Sequence, residues 1–424
     1  MNGTNMRAPA AGLALVLATV LATQPASAQD LLIRGAKVHT VTERGTLENA
    51  DVLVRGGRIV GVGTGLAAGP ATTVVEARGR PLTPGLFGGI TSLGVEEISL
   101  EPSTVDNSSD PAGAASAGDV SLRPEFDVTR AFNPDSVVIG VNRVEGITAA
   151  MVAPRGSILS GQGAVARLDG RVEAFPAAGR TLFSDLGADA TVAGGRSRAA
   201  QFMLFEQAAR EARPVAGMRD ADFRLLTPSG REVLARYLAG GRIAFGVDRA
   251  ADIREVLRIA QQTGARPVIV GGAQAWQVAG LLASARVPVI LDPLVDLPES
   301  FDQLGATLEN AARLQRAGVT IVFTNLNDAT HNARKVRQAA GVAVANGLPW
   351  DAGLAALTAN PAAVFGLGAE FGRIAPGQAA DLVLWSGDPL EVTTVAEQVW
   401  IDGRAQSMRS RQTELRDRYR PRAP

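Results

Sequence analysis

Apolar positions follow two kinds of pattern along this chain, and the change between them divides it into three stretches. Near the start, LLIRGAKVHTV (31–41) and ADVLVRGGRIVGVG (50–63) are short β-branched runs broken by glycine, the pattern of antiparallel strands. Gly56-Gly57 lies between two such runs. Glycine reaches the positive φ angles of tight hairpins, so a hairpin is predicted there. A third run, ATTVVEARG (71–79), leads into Pro81 and Pro84.

The middle reads differently. RIAFGVD (242–248), RPVIVGG (266–272), VPVILDP (287–293) and VTIVFTN (319–325) are apolar without alternation, as expected of parallel strands covered on both faces. Between the first two, Ile253, Val256, Leu257 and Ala260 recur at helical spacing and Gly264 supplies a stop. AWQVAGLLASA (275–285) and the run 310–317 fill the next two connections. An earlier pair, SVVIGV (136–141) and NRVEGITAAMVAP (142–154), continues the pattern. Strand, helix, strand at such intervals predicts a (β/α) barrel or a doubly wound sheet. After the helix-like LPWDAGLAALTANPAAVFG (348–366), the chain returns to glycine-bounded strands at 372–385 and 395–404. The two β-rich ends are expected to pair with each other. The charged segment 409–424 reads as an exposed, frayed tail.

Composition changes this picture in three places. Lys+Arg and Asp+Glu balance at 42 each, so no bulk basic charge argues for a nucleic-acid partner. The chain has no cysteine, hence no disulfides. At the N-terminus, Arg7, an apolar run over 12–22 and Ala26-Ser27-Ala28 read as a signal peptide cleaved before Gln29, which predicts export, to a periplasm in a bacterial cell.

Two segments carry a resemblance. RPLTPGLFGGITSLG (80–94) and LTANPAAVFGLGAEFGRIAPGQAADLVLWSGDPLE (357–391), together with SILSGQGA (157–164), resemble the amidohydrolase superfamily, in particular its imidazolonepropionase-like branch. The resemblance implies a TIM-type (β/α)8 barrel plus a small composite β-sandwich formed from both termini. The boundaries are 1–28 signal peptide, 29–82 and 371–406 sandwich, 83–370 barrel, and 407–424 charged tail. It also implies hydrolysis of non-peptide C–N bonds by metal-activated water.

The ligand positions disagree with that chemistry. In the family, the strand after TPGL/F carries D-A-H-x-H, and the matching residues here are Gly88, Gly89, Ile90, Thr91 and Ser92. Ile90 and Ser92 thus stand where two histidines bind metal. The histidines that end the fifth and sixth strands match near Asp248 and Gly271-Gly272, and the last-strand aspartate matches Asn325. No lysine occurs between Lys37 and Lys335, so none is placed to be a bridging carboxylated lysine; a bridging glutamate is left open, with Glu206 and Glu232 as options. A hydrolytic zinc needs imidazole or carboxylate donors at about 2.0–2.2 Å. The usual site uses four histidines; this chain has two, His39 and His331.

The remaining polar residues have a functional and a plain reading each. Asp248, Asp292 and Asn325 end proposed parallel strands, where barrels keep their chemistry, yet Asp and Asn also simply cap loops. Glu96 is a pocket candidate or solvated charge. Ser160 and Gln162 lie in a glycine-rich segment that the resemblance puts at the barrel mouth. His331 faces the mouth or the surface. Asp106, Asp110 and Asp119 belong to a polar loop, 103–118 and its flank, without EF-hand spacing. Asp381 and Asp388 read as structural.

Three functions follow: a non-catalytic ligand-binding or partner subunit; a hydrolase of cyclic or linear amides using an atypical mononuclear or metal-free carboxylate site; or a structural role at the cell surface. No cofactor is expected, with zinc or another divalent metal only at an atypical site. The expected partners are a small molecule at the C-terminal barrel face and a paralogous active amidohydrolase or a second copy of the chain.

Overall fold

The computed structural model describes residues 30–109, 122–156, 158–187, 197–213, 225–326 and 330–420. The predicted leader and the loop acids Asp110 and Asp119 lie outside them. Among the described residues no helix is long and apolar enough to cross a membrane.

The two ends of the chain build one sheet. Strands β1 (Leu31–His39), β2 (Thr46–Arg55), β3 (Arg58–Gly63), β4 (Thr73–Glu76) and β5 (Pro81–Pro84) come from the first stretch. Strand β5 pairs with a strand from the far end of the chain, Leu382–Trp385. Gly56 and Gly57 make the predicted two-residue hairpin turn, with φ of +54° and +82°, the double positive of a type I′ turn. Where a two-layer sandwich is expected, the structure has a single continuous sheet. It curls, because the start of β3 is tied to the segment 377–380: the Ile59 amide donates to the Gln378 carbonyl at 2.9 Å, and the Ala380 amide to the Gly57 carbonyl at 2.9 Å. The curl lets the sheet enclose its own core of Ile33, Val52, Val54, Leu82, Leu382 and Trp400.

The middle of the chain forms a second, nearly closed eight-stranded sheet in the order of its strands. These are β6 (Leu86–Thr91), β7 (Ile147–Val152), β8 (Gly161–Arg167), β9 (Thr181–Asp185), β10 (Arg242–Val247), β11 (Arg266–Gly271), β12 (Val289–Leu291) and β13 (Ile321–Phe323). The far-end strands already met are then β14 (Leu382–Trp385), β15 (Ala396–Ile401) and β16 (Arg404–Ala405). The all-parallel (β/α)8 expectation needs correcting at one strand. β8 runs antiparallel to both β7 and β9, because the chain returns from β7 through a short connection, which suffices only for an antiparallel neighbour.

Helices cover the outside: α1 (Val137–Arg143), α2 (Arg198–Ala212), α3 (Pro228–Leu238), α4 (Ala250–Thr263), α5 (Ala279–Ala285), α6 (Asn310–Arg316), α7 (Val336–Ala345), α8 (Trp350–Ala356) and α9 (Ala359–Val364). α4 buries Ile253, Val256 and Ala260 as its spacing predicts and ends on Gly264 at φ +71°. The apolar run 136–141 is part of helix α1 rather than a strand, since Val138, Ile139, Val141 and Asn142 are buried on one helical face. The segment read as a frayed tail contains α10 (Arg411–Tyr419), exposed but closed by a Ser410–Thr413 capping box.

Inside the barrel, Phe87, Met151, Val165, Phe183, Ile290 and Val322 form the lumen core. The N-terminal end is plugged by the chain after α9: Phe365 stacks on Phe87 at 5.5 Å, and Arg242 at the start of β10 donates to the Phe365 carbonyl at 2.7 Å. The opposite end, where the parallel strands have their C-termini, is left to hold a site.

Candidate functional site

The ends of β9, β10 and β11, with residues 155–156 and 299–303, surround a cavity of about 530 Å³. A narrower recess of about 140 Å³ continues down toward Ile90 and Phe183. Arg155, Asp185, Gly246, Val270 and Leu326 line both. A larger hollow, about 870 Å³, lies on the outer flank around Asp106, Glu125 and Arg130, away from the strand ends.

Two carboxylates are presented to the mouth in the same way. Asp185 ends β9 and is the pairing partner of Gly246 on β10. Ser160 donates to its Oδ2 at 3.0 Å. A Cβ on Gly246 would lie 2.6 Å from Asp185 Oδ1, so the carboxylate rests over the glycine. One strand further on, Asp248 repeats the arrangement: a Cβ on Gly271 would lie 2.7 Å from its Oδ1. That oxygen accepts from the Ala273 amide at 3.0 Å, and Oδ2 from Gln303 at 3.1 Å. At the rim, Asp302 is paired with Arg198, while Arg155 is exposed.

Of the residues singled out from sequence, Asp248 therefore lies at the mouth, and Ser160 supports it from behind through Asp185. Asp185 itself was missed. Its strand, TLFSD, is five residues long, and the only signal was a terminal Asp between Gly179 and Gly187.

Ile90 is half-buried and packs into the lumen core. Its amide donates to Thr324 Oγ1 at 2.9 Å. Ser92 is buried, and Asn107 Nδ2 bridges it (3.1 Å) to buried Glu96 (2.8 Å). Glu96 thus sits in a polar lock beside the strand, outside both recesses. Gln162 faces the outside of the barrel, accepting from the Tyr237 hydroxyl of α3 at 3.2 Å, because its pairing partner Leu182 also points outward. Asn325 is half-buried and lines neither recess; its neighbour Leu326 lines both.

His331 is exposed, in contact with Asn332 at 3.1 Å. His39 ends β1, far along the chain from the barrel strands. It bonds Thr46 at 2.9 Å and stacks on Trp350 at 4.6 Å. Burial, then the charge of Lys37, holds its pKa below the usual value. Asp292 caps loops, accepting from the Leu294 and Leu326 amides at 3.0 and 3.2 Å; burial pushes its carboxyl above the ordinary range. Glu206 pairs with Arg258 on the helical surface and Glu232 is exposed on α3, so neither reaches the strand ends.

Gly272 gives the Asn310 amide group a carbonyl at 2.9 Å. Its φ of +63°, with Ala275 and Val289 within 3.1–3.2 Å of a built Cβ, makes it a strained position for any side chain. Among the described residues, no three His, Asp or Glu side chains gather as a metal-holding group.

Comparison with known proteins places this geometry. A family profile described as "Amidohydrolase family" matches residues 324–405, the end of β13 through β16. An adenine deaminase of Deinococcus deserti is 30% identical over 366 residues, 84% of this chain and 56% of that protein. The amidohydrolase tasK of Hapsidospora irregularis is 42% identical over 89 residues, 21% of this chain and 9% of that protein. The chain thus spans little more than half the length of one curated relative and a small part of the other. Among solved structures, an amidohydrolase from Thermotoga maritima MSB8 superposes with a TM-score of 0.79 at 26% identity, covering 89% of this chain and 100% of that one.

Proposed function

Because the chain belongs to the amidohydrolase superfamily, we propose that it is an exported member which binds a small molecule at the barrel mouth without hydrolysing it, alone or beside a catalytically complete relative. The observation that carries this reading is Ile90. At the position where the family's first metal-binding histidine is matched, an aliphatic side chain packs into the lumen and its amide is taken by Thr324. Ser92, at the second, is engaged with Asn107, and the strand-end glycines Gly271 and Gly272 have no room for imidazole. These residues do not fit a pair of zinc ions, and no reaction step in this reading runs through one.

The deciding experiment is elemental analysis of the purified protein together with assays on amides, lactams and aminopurines. Less than a tenth of a zinc equivalent and no chelator-sensitive turnover are expected; near-stoichiometric metal with such turnover would end the proposal. A second reading, a hydrolase with a carboxylate base, draws on Asp185 and Asp248, both at the mouth. It predicts turnover that survives chelator and is abolished in D185N or D248N. Export predicts that the protein recovered from its source begins at Gln29, which N-terminal sequencing reads directly. The cavity weighs against a purely structural role, since the described side chains leave the mouth open.

A further inference from the structure

We infer that the ligand taken at this mouth ends in an uncharged hydrocarbon group, branched alkyl to phenyl in size, which seats in the recess beneath. This rests on the binding role proposed above and gives its ligand a class. Along a strand every second side chain faces the lumen. β9 presents Phe183 and then Asp185, and the residues paired with them on β10 are Ala244 and Gly246. The next pairs on β11 are Val268 and Val270. At two successive levels, then, β10 contributes a methyl group or nothing, and a hollow opens between larger neighbours. Ile90 on β6 and Pro154 after β7 also wall it.

That hollow is the recess of about 140 Å³, near the size of an apolar cavity that takes up benzene. Among the described residues its lining is graded. Ile90, Pro154, Phe183 and Ala244 line the recess but not the wider mouth, and all four are apolar. The charged lining residues, Arg155, Asp185, Asp248, Glu299 and Asp302, all border the mouth, and of these only Arg155 and Asp185 also border the recess. A polar group pushed to the apolar floor would give up water for surfaces that cannot hydrogen-bond. A hydrocarbon group loses nothing there, and each buried methylene strengthens binding about fourfold.

The test is ligand-observed NMR titration of the full chain with four neutral amides: acetamide, 3-methylbutanamide, 2-phenylacetamide and 2-(1-naphthyl)acetamide. The second and third should each bind at least about tenfold more tightly than acetamide. The naphthyl compound, too large for the recess, should lose that gain. Ala244→Leu fills the hollow and should bring every probe to the affinity of acetamide. Ile90→Ala enlarges it and should admit the naphthyl group. Thermal melts verify that each variant folds, and the size series on the parent chain decides the matter if one does not.

Equal affinity across the series, a naphthyl amide bound to the parent as tightly as the phenyl one, or no binding by any of the four would overturn the inference. So would a gain that survives Ala244→Leu in a folded variant. Zinc content and amide turnover, read on the same preparation, judge the non-catalytic reading separately: metal with chelator-sensitive hydrolysis would end that reading alone and leave the recess to the size series.

Discussion

The composite sheet and the barrel mouth belong to one chain but are built in different ways. In the sheet, the elements that the resemblance predicts are joined by interactions that leave little freedom. Asp381 of the ADLVL run is buried against Arg167 of β8, at 2.6 Å. Arg167 also reaches Asp402 in the β15–β16 turn at 3.0 Å, so one guanidinium ties the barrel to both ends of the returning hairpin. Arg337 of α7, fully buried, donates to the carbonyls of Pro389, Glu391 and Thr394 and so fixes the GDPLE loop. At the mouth, by contrast, the side chains stand at strand ends beside a cavity, Asp185 over Gly246 and Asp248 over Gly271. A scaffold is held by dense mutual packing, whereas a site is a few side chains that can be exchanged without moving the scaffold.

That contrast can be broken most forcefully from the scaffold side. Arg167→Ala leaves Asp381, whose carboxyl burial already pushes above the ordinary range, without its partner. Removing one member of a buried pair costs about 3–5 kcal/mol, so chemical denaturation should show a loss of that size. A loss under about 1 kcal/mol would mean that the link between barrel and sheet is not set by this pair.

The next largest effect lies in the barrel wall. Gly89 has φ of +80°, and a Cβ there would stand 2.7 Å from the Thr324 Cα and 2.5 Å from its Oγ1. Gly89→Ala therefore combines backbone strain with overpacking, at about 2–4 kcal/mol. If the variant is as stable as the parent, the close approach of β6 to Thr324 is wrong, and with it the account of why Ile90 is held where it is.

The smallest effect is a slope with pH. The His39 imidazole titrates below 6.5 in the folded chain, because burial and then Lys37 outweigh the opposing carboxylates Asp388, Asp351 and Glu48. A lowered pKa means the fold prefers the neutral ring. The contribution is present in full above the unfolded value of 6.5 and is lost as pH falls through the folded pKa. Unfolding free energies measured from pH 8 down to pH 5 should decline more steeply for the parent than for His39→Gln; parallel curves would dismiss the effect.

Much of the frame was legible in the sequence because its signals are local. The Gly56-Gly57 turn, the stop at Gly264 and the uninterrupted apolar runs of β10 to β13 each report the conformation of the residues that carry them. β8 and β9 were not, since GQGAVAR is too small-sided and TLFSD too short to announce a strand, and the reversal of β8 depends on a connection length rather than a pattern. The site was legible only in part. A motif comparison flags Ile90 and Ser92, but Asp185 becomes visible only when pairing lays it over Gly246. Gln162 failed for a related reason, since which face a strand residue shows depends on register.

Among the described residues, backbone ladders join each strand of the barrel wall to the next except between β13 and β6, where the Thr324 hydroxyl accepts from the Ile90 amide and reaches its carbonyl at 3.4 Å. A cylinder buttoned by a single side chain has a preferred place to breathe. Amide exchange at Ile90 should be faster than in β10 or β11, and a loosening there would widen the entrance while the plug beneath it stays shut.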